Sequence, residues 1–94
     1  MGETIRFSDG EAQLWSKRLV GGSLALLFVN LGQATMSHSF TLGEVGLEVN
    51  KSIATVAVRD VWNHSDRPPI VKGGRVKFTA VVGHDSHFVV LTPQ

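Results

Sequence analysis

The residues with the greatest chemical potential lie in two short stretches, GHDSH at Gly83–His87 and VAVRDVWNHSD at Val56–Asp66. In the first, two imidazoles and a carboxylate could ligate a metal, or Ser86 could be activated by His84 or His87 with Asp85 as orienter. Adjacent residues rarely face one another as a triad must, and the cluster supplies too few ligands for a structural zinc site. A polar turn leading into the last strand accounts for it better. In the second stretch, Arg59 and Asp60 stand side by side with Trp62 and His64 close behind. Successive strand residues point to opposite faces, so these two cannot simply pair. Parity with Val56 and Val58 sends Asp60 inward, together with Trp62. A buried carboxylate needs hydrogen bonds, which predicts backbone N–H groups of the 63–67 turn or a basic side chain as its partners.

The other carboxylates are Glu3, Asp9, Glu11, Glu44, Glu48, Asp66 and Asp85, and their spacing nominates no acid–base pair of the kind that cleaves glycosides. Gly21-Gly22 and Gly73-Gly74 lack the context of a phosphate-binding loop. His38, alternating with Met36 and Phe40, reads as an ordinary strand histidine. Cysteine is absent, which removes thiol catalysis, disulfides and cysteine zinc sites together. Neither a catalytic site, a cofactor nor a metal is expected. Two sequons, Asn50-Lys51-Ser52 and Asn63-His64-Ser65, fall in predicted turns and are candidate glycosylation sites.

These residues sit in a chain of 94 residues with nine basic and eight acidic side chains, 43% hydrophobic and 18% charged. That is one globular domain, and its near-neutral charge argues against a nucleic-acid partner. The longest apolar run, Leu24–Val29, is far short of the ~18 residues that a membrane span requires. Apolar alternation and turn residues predict strands at Ala12–Leu19, Ser23–Asn30, Thr35–Leu42, Ile53–Trp62, Arg75–Val82 and His87–Thr92. The fold class is therefore all-β, an antiparallel β-sandwich of about six to eight strands covering 1–94, with residues 1–10 set aside as linker or added residues. Asn63–Gly74, with Pro68-Pro69, reads as a loop.

In RVKFTAVV, Val76, Phe78, Ala80 and Val82 share a dry face. The run from Ser23 to Asn30 is different: Leu24, Leu26 and Phe28 point one way, and Ala25, Leu27 and Val29, equally apolar, point the other. A lone small sandwich usually leaves one face of a sheet to solvent. Either twist, bulges and loops cover the second face from within, or Ala25, Leu27 and Val29 form a docking surface for another domain. Phe88–Leu91 has the same character and is a candidate neighbour.

Taken in order, QLWSKRL, GGSLALLFVNLG, VGL, TVAVRDVWNHSD and VVGHDSHFVVLTP resemble the carboxy-terminal antiparallel β-domain of α-galactosidases, the melibiases of glycoside hydrolase family 27. The likeness falls on Trp15, Lys17, Leu19, Gly22, Ser23, Asn30, Gly46, Leu47, Val58–Trp62, His84 and Leu91–Pro93. Arg18 stands where that family prefers proline, and the turn after Asp60 differs. The resemblance implies a non-catalytic accessory domain, because the family's two catalytic aspartates lie in an amino-terminal (β/α)₈ barrel. The implied partner is that barrel. The parent would hydrolyse terminal α-galactosides and be secreted or lysosomal. Trp15, Asn30, Asp60 and Trp62 are then expected to be structural. Two other readings stay open: a carbohydrate-binding module using Trp15, Trp62 and the phenylalanines, and an immunoglobulin-like interaction domain, which lacks its cysteine–tryptophan–cysteine signature.

Overall fold

The computed structural model describes residues 4–47, 55–71 and 73–93. Its strands are β1 (Thr4–Ser8), β2 (Ala12–Arg18), β3 (Leu24–Asn30), β4 (Met36–Thr41), β5 (Thr55–Asp60), β6 (Ser65–Val71), β7 (Arg75–Val81) and β8 (Ser86–Pro93). Six of them form one antiparallel sheet in the order β1-β2-β3-β8-β5-β6, and β4 pairs with β7 in a second. The two sheets face each other as a sandwich, since buried side chains of both meet in one core. The sequence requires that arrangement, because strands with one greasy face are stable only when stacked against another layer.

Alternation decides what goes inside. In β3, Leu24, Leu26, Phe28 and Asn30 point inward, and in β8, Val89 and Leu91 do the same beside them. Phe28 stacks on Phe78 of β7 with ring centroids 5.0 Å apart, and Phe40 meets Phe78 edge-on at 6.1 Å. His38 lies among Phe7, Phe28 and Phe40 at 5.1–6.0 Å. Each fully covered side chain of this size contributes roughly 1.5–3 kcal/mol, so this aromatic stack is the mechanical centre of the fold.

At one end of the sandwich Asn30, wholly buried, replaces an apolar side chain. Its Nδ2 donates to the carbonyls of Ala34 (2.8 Å) and Val81 (2.9 Å), and its Oδ1 accepts from the Gly32 N–H at 2.9 Å. Its own N–H donates to the Asp85 carbonyl at 2.9 Å. One amide thus ties the β3–β4 and β7–β8 connections together. Gly83 makes that closeness possible, because a Cβ there would collide with the Gln33 carbonyl.

Three elements depart from the sequence pattern. Thr4–Ser8, outside the predicted strands, pair with β2, and Phe7 packs against the core opposite Phe40 at 5.4 Å. Ser65–Val71, read as loop, form the edge strand β6. Its register jumps between Val56↔Ile70 and Val58↔Arg67, so Pro68 and Pro69 fall in a bulge opposite Ala57, where their missing N–H groups cost no ladder bond. In β7 the expected dry face breaks after Phe78. Ala80 adopts φ 55° and donates its N–H to Ser37 Oγ at 2.9 Å, and the β4–β7 register shifts there. That extra residue reverses parity. Val81 becomes fully buried while Ala80 and Val82, expected inside, are exposed.

Candidate functional site

Cross-strand register places side chains on the outer face of the six-stranded sheet in rows. Ile5 of β1 pairs with Trp15 of β2, Trp15 with Leu27 of β3, and Leu27 with Phe88 of β8. Residues directly opposite in an antiparallel sheet point to the same side, so these four make one apolar band across four strands. Trp62, just beyond the end of β5, extends it by meeting Phe88 edge-on at a centroid distance of 6.0 Å. The adjoining row runs from Lys17 through Ala25 to Val90 and Arg59, and on the other side Val29 lies between Gln13 and Ser86.

Between the rows lies an open groove of about 480 Å³, lined chiefly by Trp15, Lys17, Ala25, Leu27, Trp62 and Phe88. Trp15 is held by its Nε1–H donating to Gln13 Oε1 at 3.1 Å. Ile5 is 48% and Trp62 52% exposed, high values for side chains this apolar. The face therefore offers rings and aliphatic carbon with two cations, Lys17 and Arg59, in the adjoining row, and no pair of acids. It is suited to burying surface against something else.

The polar cluster at Asp60 lies behind one end of this band. Asp60 is buried, and its Oδ1 accepts the Asn63 N–H at 3.2 Å. Its Oδ2 accepts from Asn63 Nδ2 at 3.0 Å and from the Arg67 guanidinium at 3.2 Å. Burial alone pushes the carboxyl up, but the Asn63 side-chain and backbone donors and then Arg67 outweigh it and hold Asp60 below the ordinary aspartate value. Arg59 points the other way and bridges Asp66, directly opposite on β6, at 3.2 Å.

Trp62 does not share the inner face with Asp60 as strict alternation predicts. The strand ends at Asp60, and the turn that begins at Val61 carries the indole to the outer face. Ala25, Leu27 and Val29 all face outward, Ala25 covered by its neighbours and the other two half-buried. Ile5 joins them unannounced, because a register shift between Ile5 and Phe7 puts the two on opposite faces where simple alternation would have put them on one. Of the sequons, Asn63 is exposed on its turn with Nδ2 directed at Asp60, and Asn50 lies outside the described residues. His84 and Asp85 form an exposed turn in which Asp85 Oδ1 accepts the Ser86 N–H at 2.8 Å, while His87 is part-buried with Nδ1 unpartnered.

The family model for the α-galactosidase C-terminal β-sandwich domain matches residues 9–91. An Arabidopsis thaliana protein named alpha-galactosidase 3 is 35% identical over 83 residues, which are 87% of this chain and 18% of that protein. A family 27 β-L-arabinopyranosidase of Geobacillus stearothermophilus superimposes with a TM-score of 0.83 at 18% identity, over 99% of this chain and 20% of that one. α-Galactosidase I of Mortierella vinacea does so with a TM-score of 0.79 at 17% identity, over 95% and 22%. The chain thus spans about a fifth of the length of these relatives. It belongs to the family of α-galactosidase C-terminal β-sandwich domains.

Proposed function

We propose that this chain is the non-catalytic accessory domain of an α-galactosidase-like glycoside hydrolase, docked through the outer face of its six-stranded sheet onto a (β/α)₈ catalytic domain. The parent enzyme would hydrolyse terminal α-galactosides. The observation that carries this reading is the apolar band from Ile5 to Trp62, left uncovered by any described residue of the chain. Relatives about five times longer hold ample chain to cover it. Soluble monomers rarely expose apolar patches beyond a few hundred Å², and larger ones mark contact surfaces. Trp15 and Trp62 flank the groove and are the natural anchors, since tryptophans dominate binding energy at well-packed interfaces. The Asp60–Asn63–Arg67 cluster fixes the turn that presents Trp62, which assigns Asp60 a structural part. Asn30 has a structural part at the far end.

The test is a titration of the ¹⁵N-labelled chain with the catalytic domain encoded ahead of it in the natural gene. Shifts concentrated at Leu27, Phe88 and Trp62, abolished by Leu27→Asp while the fold is retained, are expected. Shifts elsewhere would refute the assigned face. A parallel titration with galactosides separates the alternative, because saturable changes around the two tryptophans would make the groove a sugar site.

A further inference from the structure

The sandwich has a second depression, on the side away from the outer face, where β6 at the edge of the large sheet runs past β7 of the small one. This cleft of about 450 Å³ is floored by Val58, Ile70 and Val76, and Arg67, Arg75 and Lys77 line it. The floor residues are buried, and Arg75 and Lys77 are exposed. The whole chain carries a net charge of only +1, so three cations at one opening reflect segregation of charge rather than excess. Asp9, Glu11 and Asp85 gather instead around the Asn30 end, where Glu11 and Asp85 are joined through their carbonyls to the N–H groups of Leu31 and Asn30.

Among the described residues no carboxylate lines the cleft, and neither Arg75 nor Lys77 forms an ion pair; the Glu44 carboxylate, outside the lining, feels the Arg75 charge without contacting it. Arg67 is held in place, with one guanidinium nitrogen on Asp60 at 3.2 Å and the other donating to the Lys77 carbonyl at 3.1 Å. It spans the gap between the two sheets and fixes the width of the cleft. Pro68 and Pro69 deny an incoming strand two N–H donors along this edge, so a peptide adding itself to β6 would find a broken ladder. The opening offers an apolar floor with one hydrogen-bonded and two exposed cations above it. A pyranose ring has apolar C–H faces, and when it bears a carboxylate or sulfate it matches both features; guanidinium and ammonium groups are the usual partners of such anions.

We propose that the β6–β7 cleft binds an anionic polysaccharide, a chain bearing uronate carboxylates or ester sulfates. Because the cleft opens away from the outer face of the six-stranded sheet, it remains accessible whether or not that face is docked. A weak site there would hold a polymer near an attached enzyme by raising its effective concentration. The inference stands apart from the docking reading, and either can fail alone.

The experiment is affinity electrophoresis of the chain through gels containing polygalacturonate, a sulfated galactan, neutral galactomannan or poly-glutamate. Retardation by polygalacturonate or the sulfated galactan is expected, and which of them acts identifies the anion. The effect should fade as salt shortens the screening length to roughly 3 Å near 1 M. R75A/K77A changes two exposed side chains, should leave the melting temperature unchanged, and should weaken retardation by about tenfold or more. The proposal is overturned by free migration past both anionic polysaccharides, by equal retardation in galactomannan or poly-glutamate, or by an undiminished effect in the double variant.

Discussion

Leu26 and Leu27 are neighbours in β3 with the same chemistry and opposite fates. Leu26 is fully buried beneath the β4–β7 layer, whereas Leu27 lies half-buried in an open groove between Trp15 and Phe88. The inner face is completed by the chain's own second sheet, and the outer face is not. Hydrophobicity of a strand therefore measures how much cover it seeks. It does not say which molecule provides that cover.

The sharpest way to break this comparison is to truncate both leucines in the isolated chain. Leu26→Ala should cost about 2–5 kcal/mol in urea unfolding, since it leaves a cavity against Phe28 and its neighbours. Leu27→Ala should cost about 1 kcal/mol or less there, with its larger effect appearing only when the outer face is covered. Equal losses would mean that the outer face is already closed by the chain itself.

Asn30→Ala comes next. Removing that amide strands the Ala34 and Val81 carbonyls and the Gly32 N–H, at about 1–3 kcal/mol, and hydrogen exchange should quicken at Gly32 and His84. Asp60→Ala should lower stability by about 1–2 kcal/mol at neutral pH by leaving Arg67 and Asn63 without their acceptor. Its pH dependence sharpens the point. The folded pKa of Asp60 is depressed, so its contribution is complete above the ordinary aspartate range and disappears as pH falls through the folded value. The gap between native and variant melting temperatures should accordingly narrow on acidification. The smallest effect belongs to Asp66→Ala, which removes an ion pair between solvent-exposed partners and should change the melt by no more than about 0.5 kcal/mol.

Much of the architecture could be read from the chain. Alternation marked β2, β3, β4, β5, β7 and β8, and the apolar second face of β3 singled out Ala25, Leu27 and Val29. The elements that escaped share a physical cause. Two prolines make β6 look like loop, because prolines disrupt a ladder unless a bulge removes them from it, and a bulge is set by the partner strand. β1 is short and exposed at four of its five positions, so it carries little amphipathic signal of its own. The parity of Trp62 and of Ala80–Val82 was misread because counting by twos holds only along a regular strand: β5 ends at Asp60, before Trp62, and β7 is interrupted at Ala80, where φ turns positive.

The amino-acid sequence by itself determined the class of fold and which strand had two greasy faces, because a period of two and the placement of turn residues are local properties of a chain. It determined also that Arg59 and Asp60 could not serve one another. Only the tertiary structure decided that Ile5, Trp15, Leu27, Phe88 and Trp62 stand in a single row, and that Arg67, Arg75 and Lys77 share one cleft. Such groupings depend on strand order and register, which are fixed by contacts between residues far apart in the sequence.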